Sequence, residues 1–183
     1  LSYIIWGGPP DEELMREADR GGLDRAGIEK QAARMLKDPR AVTRSVQFAS
    51  EWLNLDRMEN MRPGAERFPD WDSALALDMR QETIEFFKDV AWKNDRPLAD
   101  LLNAQFTYAT PRLAAYYGLT PSGDGLSRYD LSGVNARGGL LTQGSVLTVG
   151  GDDASMVTRG LFVLHDILRG TVKDPPPGLD ITP

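Results

Sequence analysis

Apolar residues recur at helical spacing over the first two thirds of the chain. After Pro39, Val42, Val46, Ala49 and Leu53 stand at i, i+4, i+7 and i+11, with Phe48, Trp52 and Leu55 off that stripe. Two apolar sides predict a central helix. A second stripe of Leu75, Met79, Phe86 and Val90 predicts the longest helix, over about residues 71–92, opened by Asp70 or Asp72. Asp78, Glu82, Glu85 and Asp89 share another face of it and read as a solvated acidic surface. A ferritin-like two-metal site would need Glu-x-x-His on two helices, and the chain has one histidine.

Local punctuation places the other elements. Pro9, Pro10 and the acidic residues from Asp11 to Glu13 open a helix that Gly21 and Gly22 end. Another follows over residues 24–37, with Ile28, Ala32 and Met35 on one face. Asp95, Arg96 and Pro97 break the long helix, and a short one is expected over residues 98–103. Thr110 and Pro111 supply an N-cap and a first-turn proline to a helix closed by Gly118. The Gly- and Ser-rich residues 120–125 mark a loop or seam. Residues 127–132 read as a short strand or an extended connection, and 142–149 as a helix start or an extended segment. A last helix over residues 155–168 carries Val157, Leu161, Leu164 and Leu168 on one stripe and ends at Gly170. Pro175, Pro176 and Pro177 then predict a stiff polyproline exit. The fold class is therefore mainly α, a helical bundle over residues 1–119 with a smaller mixed, loop-rich part over residues 120–183.

Composition narrows the function classes. In 183 residues, 26% charged and 41% hydrophobic side chains are ordinary globular values. A net charge of −6 disfavours nucleic acid as a partner, since that surface needs clustered Lys and Arg. No apolar run approaches the ~20 residues that span a bilayer. The absence of an initiator Met, the apolar opening and the ending at Pro183 lead to the expectation of a portion of a longer chain. There is no Cys, so the chain by itself forms no disulfide, thiolate metal site or thioether to haem.

The candidate chemistry is sparse, and no set of residues specifies a reaction. His165 stands beside the last apolar stripe, either as an axial ligand or proton carrier facing a haem-bearing neighbour, or as a boundary side chain donating to a carbonyl or to Asp166. Asp152 and Asp153, with Asp124 or Asp130, offer oxygen ligands for Ca²⁺, against the simpler reading of a turn in which Asp153 or Ser155 caps the last helix. Gly138, Gly139 and Gly144 match no phosphate-loop spacing and read as a seam of close backbone approach. Thr142 and Ser145 beside them have no histidine in a context to activate them. Trp6, Trp52, Trp71 and Trp92, with Tyr116 and Tyr117, read as core packing, Trp52 near its centre, rather than as a sugar platform or electron path.

Three separated segments carry a family resemblance: the opening from Leu1 to Leu14, the stretch from Asn103 to Gly118, and the run from Arg137 to Leu147 continued by Arg159 to Leu168. They resemble paired domains of unknown function, helical DUF1592 followed by DUF1588, of large secreted planctomycete and myxobacterial proteins whose other modules look like c-type cytochromes. The resemblance implies an extracytoplasmic, non-catalytic module that positions haem-bearing partner modules, with haem c in the parent or partner and none in this chain. Family members usually carry Cys-x-x-Cys-His, which is missing here. The alternative is an enzyme or binding module acting on an extracellular polymer in the cleft between the two parts.

Overall fold

Six helices begin on side-chain caps placed directly in front of them. In the computed structural model, which describes every residue except Asp95 and residues 174–183, Asp11 accepts from Leu14 N, Asp24 from Gly27 N and Asp38 from Arg40 N. Asp72, Thr110 and Ser155 do the same for Leu75, Leu113 and Thr158. Each bond satisfies an amide that the first helical turn leaves without a partner. The helices are α1 (Ser2–Ile5), α2 (Glu12–Asp19), α3 (Arg25–Met35), α4 (Pro39–Trp52) and α5 (Ser73–Lys88). They are followed by α6 (Asp100–Asn103), α7 (Pro111–Tyr116), α8 (Gly144–Leu147) and α9 (Met156–Phe162). Gly21, at φ +70°, stands just past α2, where a left-handed residue ends a helix most cheaply. The expected proline run at 175–177 lies outside the described residues.

The protein is mainly α, and α5 is its spine. Toward its C-terminal end Phe86, and Val90 in the π turn that continues the helix over Asp89–Lys93, pack with Leu53, Leu55, Phe106, Leu140 and Val146. Toward its N-terminal end Leu75, Ala76 and Met79 pack with Met58, Met61, Ala109, Leu113 and Ala114. Leu140 and Val146 therefore enter a core otherwise built by residues before 107. A third cluster of Trp6, Leu14, Met35 and Ala41 joins the first four helices, with the Trp6 indole N–H donating to Met35 O at 2.9 Å. The one sheet among the described residues pairs β1 (Phe106–Ala109) with β2 (Ser127–Asp130), antiparallel, Phe106 opposite Asp130. This resolves residues 127–130 as a strand, while β1, a run of β-forming Phe, Thr and Tyr, was not anticipated. Residues 142–149 resolve as short helical turns around α8.

Several expectations about burial are corrected. Ile28 is exposed, because α3 turns Gln31 and Met35 inward instead. Trp52 is half-buried rather than central: it stacks on exposed Phe48, and its indole N–H reaches Asp166 O at only 3.4 Å. Trp71, Trp92 and Tyr117 are also half-buried and Tyr116 is exposed. The last helix presents its predicted stripe outward. Val157, Leu161 and Leu168 are exposed and Leu164 is half-buried, while Phe162 is the residue that packs on the core. The helix closes through a wide π turn over Val163–Ile167, which shifts its register and carries His165 on the outside.

Candidate functional site

The acidic face of α5 is not solvated. Glu82 is 1% exposed and Asp89 3%, and each carboxylate of the row is held by partners from residues 88 to 117. Asp78 accepts from Thr110 Oγ1 at 2.7 Å and pairs with Arg112 at 3.2 Å. Asp89 accepts from the Tyr108 hydroxyl at 2.7 Å and lies 3.4 Å from the Arg96 guanidinium. Burial and the Asp89 carboxylate push the Tyr108 hydroxyl up to about 12. Glu85 is the surface member, paired with Lys88 and with Lys93 at 3.0 Å. The row is thus a polar seam on which β1 and α7 sit.

Glu82 is its deepest point. Thr107 Oγ1 donates to one carboxylate oxygen at 2.5 Å and the Tyr117 hydroxyl to the other at 2.6 Å, while the Gly144 N–H donates to the Tyr117 oxygen at 2.8 Å. Burial pushes the Glu82 carboxyl up to about 7, against the opposing pull of those two hydroxyls and of Arg137. Burial and the Glu82 carboxylate raise Tyr117 well above its usual value. Beside them Thr83 Oγ1 lies 2.8 Å from Gln143 Oε1 and 2.5 Å from Ser145 Oγ. Arg57 reaches in from the other side, donating to Leu53 O at 2.6 Å, to Ser145 O and to Thr148 Oγ1 at 3.4 Å. Burial lowers the Arg57 pKa from its ordinary value.

The glycines behave as a seam of close approach. A Cβ on Gly144 would lie 2.6 Å from both Met79 Sδ and the Tyr117 hydroxyl. One on Gly139, at φ +65°, would collide with the Leu102 carbonyl. Ser145 is fully buried and tied to Thr83, so it is a strut of the seam rather than a bystander.

Bordering this seam, a half-open cavity of about 190 Å³ is lined by Met79, Phe68, Trp71, Tyr116 and Tyr117, with Arg137 and Arg159 as its cations. The Arg137 guanidinium lies 3.7 Å from the centre of the Tyr117 ring. The loop before α9 is tied to the facing strand of chain by Arg62 N donating to Asp152 Oδ1 at 2.9 Å and Arg67 donating to Asp153 O at 3.0 Å. The Asp152 carboxylate and the Asp153 backbone carbonyl therefore brace a loop, and Ser155 caps α9. Asp124 is exposed and Asp130 accepts from Ser132, so the four residues proposed for Ca²⁺ are not brought together by any bond among the described residues. His165 is exposed and makes no hydrogen bond to another described residue through its side chain, which leaves neither the Asp166 nor the carbonyl contact in place.

Sequence reasoning missed Glu82, Tyr117 and Arg57 as a buried polar group. A signal was present for Glu82: it fills the gap in the stripe Leu75, Met79, Phe86, three residues after Met79 and four before Phe86.

Residues 1–119 match a family model described as a protein of unknown function, DUF1592 (PSD4), and residues 137–183 match one described as a protein of unknown function, DUF1588 (PSCyt3). No curated protein and no solved structure matches the chain.

Proposed function

The chain belongs to the DUF1592 family, and from that premise we propose that it is a non-catalytic helical module that docks partner modules of a larger extracytoplasmic, haem-c-associated protein. The observation that carries this is the outward apolar face at the end of the chain's described part. Met156 is 75% exposed, Val157 73% and Leu168 67%, with Leu161 and Val172 exposed beside them. Isolated exposed apolar side chains need no explanation, but several on one short segment mark an interaction surface. Phe48 and Trp52 extend that surface onto α4 through the contact with Asp166.

The buried groups favour the same reading. Glu82, whose carboxyl burial pushes up to about 7, has both oxygens engaged by Thr107 and Tyr117 and does not line the cavity. Ser145 faces Thr83 rather than a base. The cavity holds about one ring, so a polymer strand does not fit it, and no carboxylate lines it. The alternative of polymer chemistry between the two matched segments therefore has less support than docking.

Haem c would belong to the parent or partner, for which the family label PSCyt3 and the earlier family resemblance speak. His165 stands on the exposed face and offers that partner one imidazole at most, so redox tuning would be its neighbour's. The extracytoplasmic location rests on the same resemblance. No helix among the described residues is long and apolar enough to cross a membrane.

The test is a binding titration against the haem-bearing module encoded in the same reading frame. Leu161→Asp with Leu168→Asp should weaken binding at least about tenfold, the effect of losing central apolar contacts, while melting changes little because both side chains point outward. Unchanged binding by that double variant, or a reading frame with no haem-attachment segment, would remove the proposal.

A further inference from the structure

We propose that the cavity walled by Phe68, Trp71, Tyr116 and Tyr117 is a binding site for a single-ring aromatic carboxylate, its anion held by Arg137 and Arg159. This goes beyond the docking role, uses none of the apolar side chains assigned to it, and stands or falls separately.

Three observations point to that ligand class. The first is charge. Arg137 and Arg159 line the cavity, no Asp or Glu does, and among the described residues neither guanidinium lies within ion-pair distance of a carboxylate. In a chain of net charge −6 whose other surface arginines are often paired, as Arg112 is with Asp78, two cations in one hollow that no carboxylate lines select an anion. The guanidinium of Arg137 lies over the Tyr117 ring and spends one nitrogen on a long 3.5 Å bond to Thr142 O, and its remaining N–H groups suit a planar acceptor such as a carboxylate.

The second observation is the wall. Four aromatic rings with Met61 and Met79 make a lining that is mostly apolar, the usual composition of a small-molecule site with a few placed polar groups. The volume of about 190 Å³ matches one substituted ring, since a cavity of roughly 150 Å³ already takes benzene.

The third is that the site is built rather than a gap between loose loops. The Tyr117 hydroxyl is fixed on both sides by Glu82 and by Gly144 N, and the outer rim is closed by the bonds from Arg62 to Asp152 and from Arg67 to Asp153. In that rim Ala154 is held at φ +50°, a left-handed conformation unfavourable to alanine that this bracing maintains. The walls come from both matched segments, Phe68 to Tyr117 on one side and Arg137 to Arg159 on the other. The ligand would therefore be recognised only when the two are packed together.

The experiment is calorimetric titration of the whole chain with benzoate at neutral pH, with benzyl alcohol and inorganic phosphate as controls. Benzoate should bind one to one with a dissociation constant of about 1 mM or tighter, the range open to so small a ligand. Benzyl alcohol, which has the ring without the charge, and phosphate, which has charge without the ring, should each bind about tenfold more weakly or worse. Benzoate affinity should fall as salt is added. Arg159→Gln should weaken it about tenfold. Arg159 makes no side-chain bond to a described residue, so the variant should melt as the parent does, which keeps the test valid if Arg137→Gln disturbs Tyr117 and fails to fold. No saturation by 10 mM benzoate, equal binding of benzyl alcohol or phosphate, or full affinity in Arg159→Gln would each overturn the assignment.

Discussion

Gly139→Val should destabilise the fold by on the order of 4 kcal/mol, a large share of the 5–15 kcal/mol typical of a domain. Two effects add. Gly139 has φ +65° and ψ 175°, a region open essentially to glycine alone, so any side chain is strained there whatever the space around it. A Cβ would also meet the carbonyl of Leu102 and come within 2.9 Å of Asn103 N, backbone atoms that cannot turn aside as a flexible side chain can. The Gly139 N–H donates to Ala104 O at 2.8 Å, so relief of the clash would break the bond that docks residues 137–146 beside β1. The measurement is chemical denaturation of both proteins. A loss under about 1 kcal/mol would show that this stretch is not seated on Leu102.

Stability should fall as the pH rises from about 5 to about 8, and Glu82 sets the direction. Its carboxyl titrates near 7 in the folded protein, because burial disfavours the charge, and near 4.5 when unfolded. Between those values the folded state binds the extra proton. Its contribution is therefore complete below about 4.5 and is lost as the pH passes through 7, by on the order of 3 kcal/mol. Asp11 works in the opposite sense at lower pH. The Arg34 side chain and the Leu14 amide hold it down to about 2, so what it contributes above 3.8 disappears as the pH falls through 2. Together these place the optimum near pH 4 to 5. Glu82→Gln, which cannot ionise, should abolish the slope between pH 5 and 8 while leaving the acid limb. A parent protein equally stable at pH 5 and pH 8 would mean that Glu82 is not enclosed by Thr107 and Tyr117.

What could be read from the sequence was local. The caps at Asp72, Thr110 and Ser155 act within three residues of themselves, so residue type and spacing sufficed to offer them, whereas Asp11 and Asp24, read only as helix-opening residues, also turn out to be caps. The stripe Leu75, Met79, Phe86 and Val90 identified the buried side of α5, and the glycines from 138 to 144 identified the seam. Contacts over longer separations were not legible. Thr107 and Tyr117 meet Glu82 across 25 and 35 residues, and nothing in a face of carboxylates tells whether water or hydroxyls will answer them. The last helix failed for a related reason: periodicity fixes which residues share a face, not which face meets the core. Phe162, one position from Leu161, packs inward, and the π turn at Val163–Ile167 moves the rest out of step. The outward turn is what leaves Val157, Leu161 and Leu168 exposed. The cavity was equally hidden, since Arg137 and Arg159 come to line one hollow with Trp71 and Tyr117 only once the second matched segment is folded onto the first.

The docking proposal is tested most directly by amide hydrogen exchange, comparing this chain alone with the same residues inside the assembled parent protein. On this account the amides of α9 and of the turn that follows, from Met156 to Leu168, exchange at least about tenfold more slowly in the assembly, because a partner covers Val157, Leu161 and Leu168. Exchange in α5 should stay as it is. Equal rates over Met156 to Leu168 in the two states, with new protection elsewhere or none, would contradict a docking role for this face.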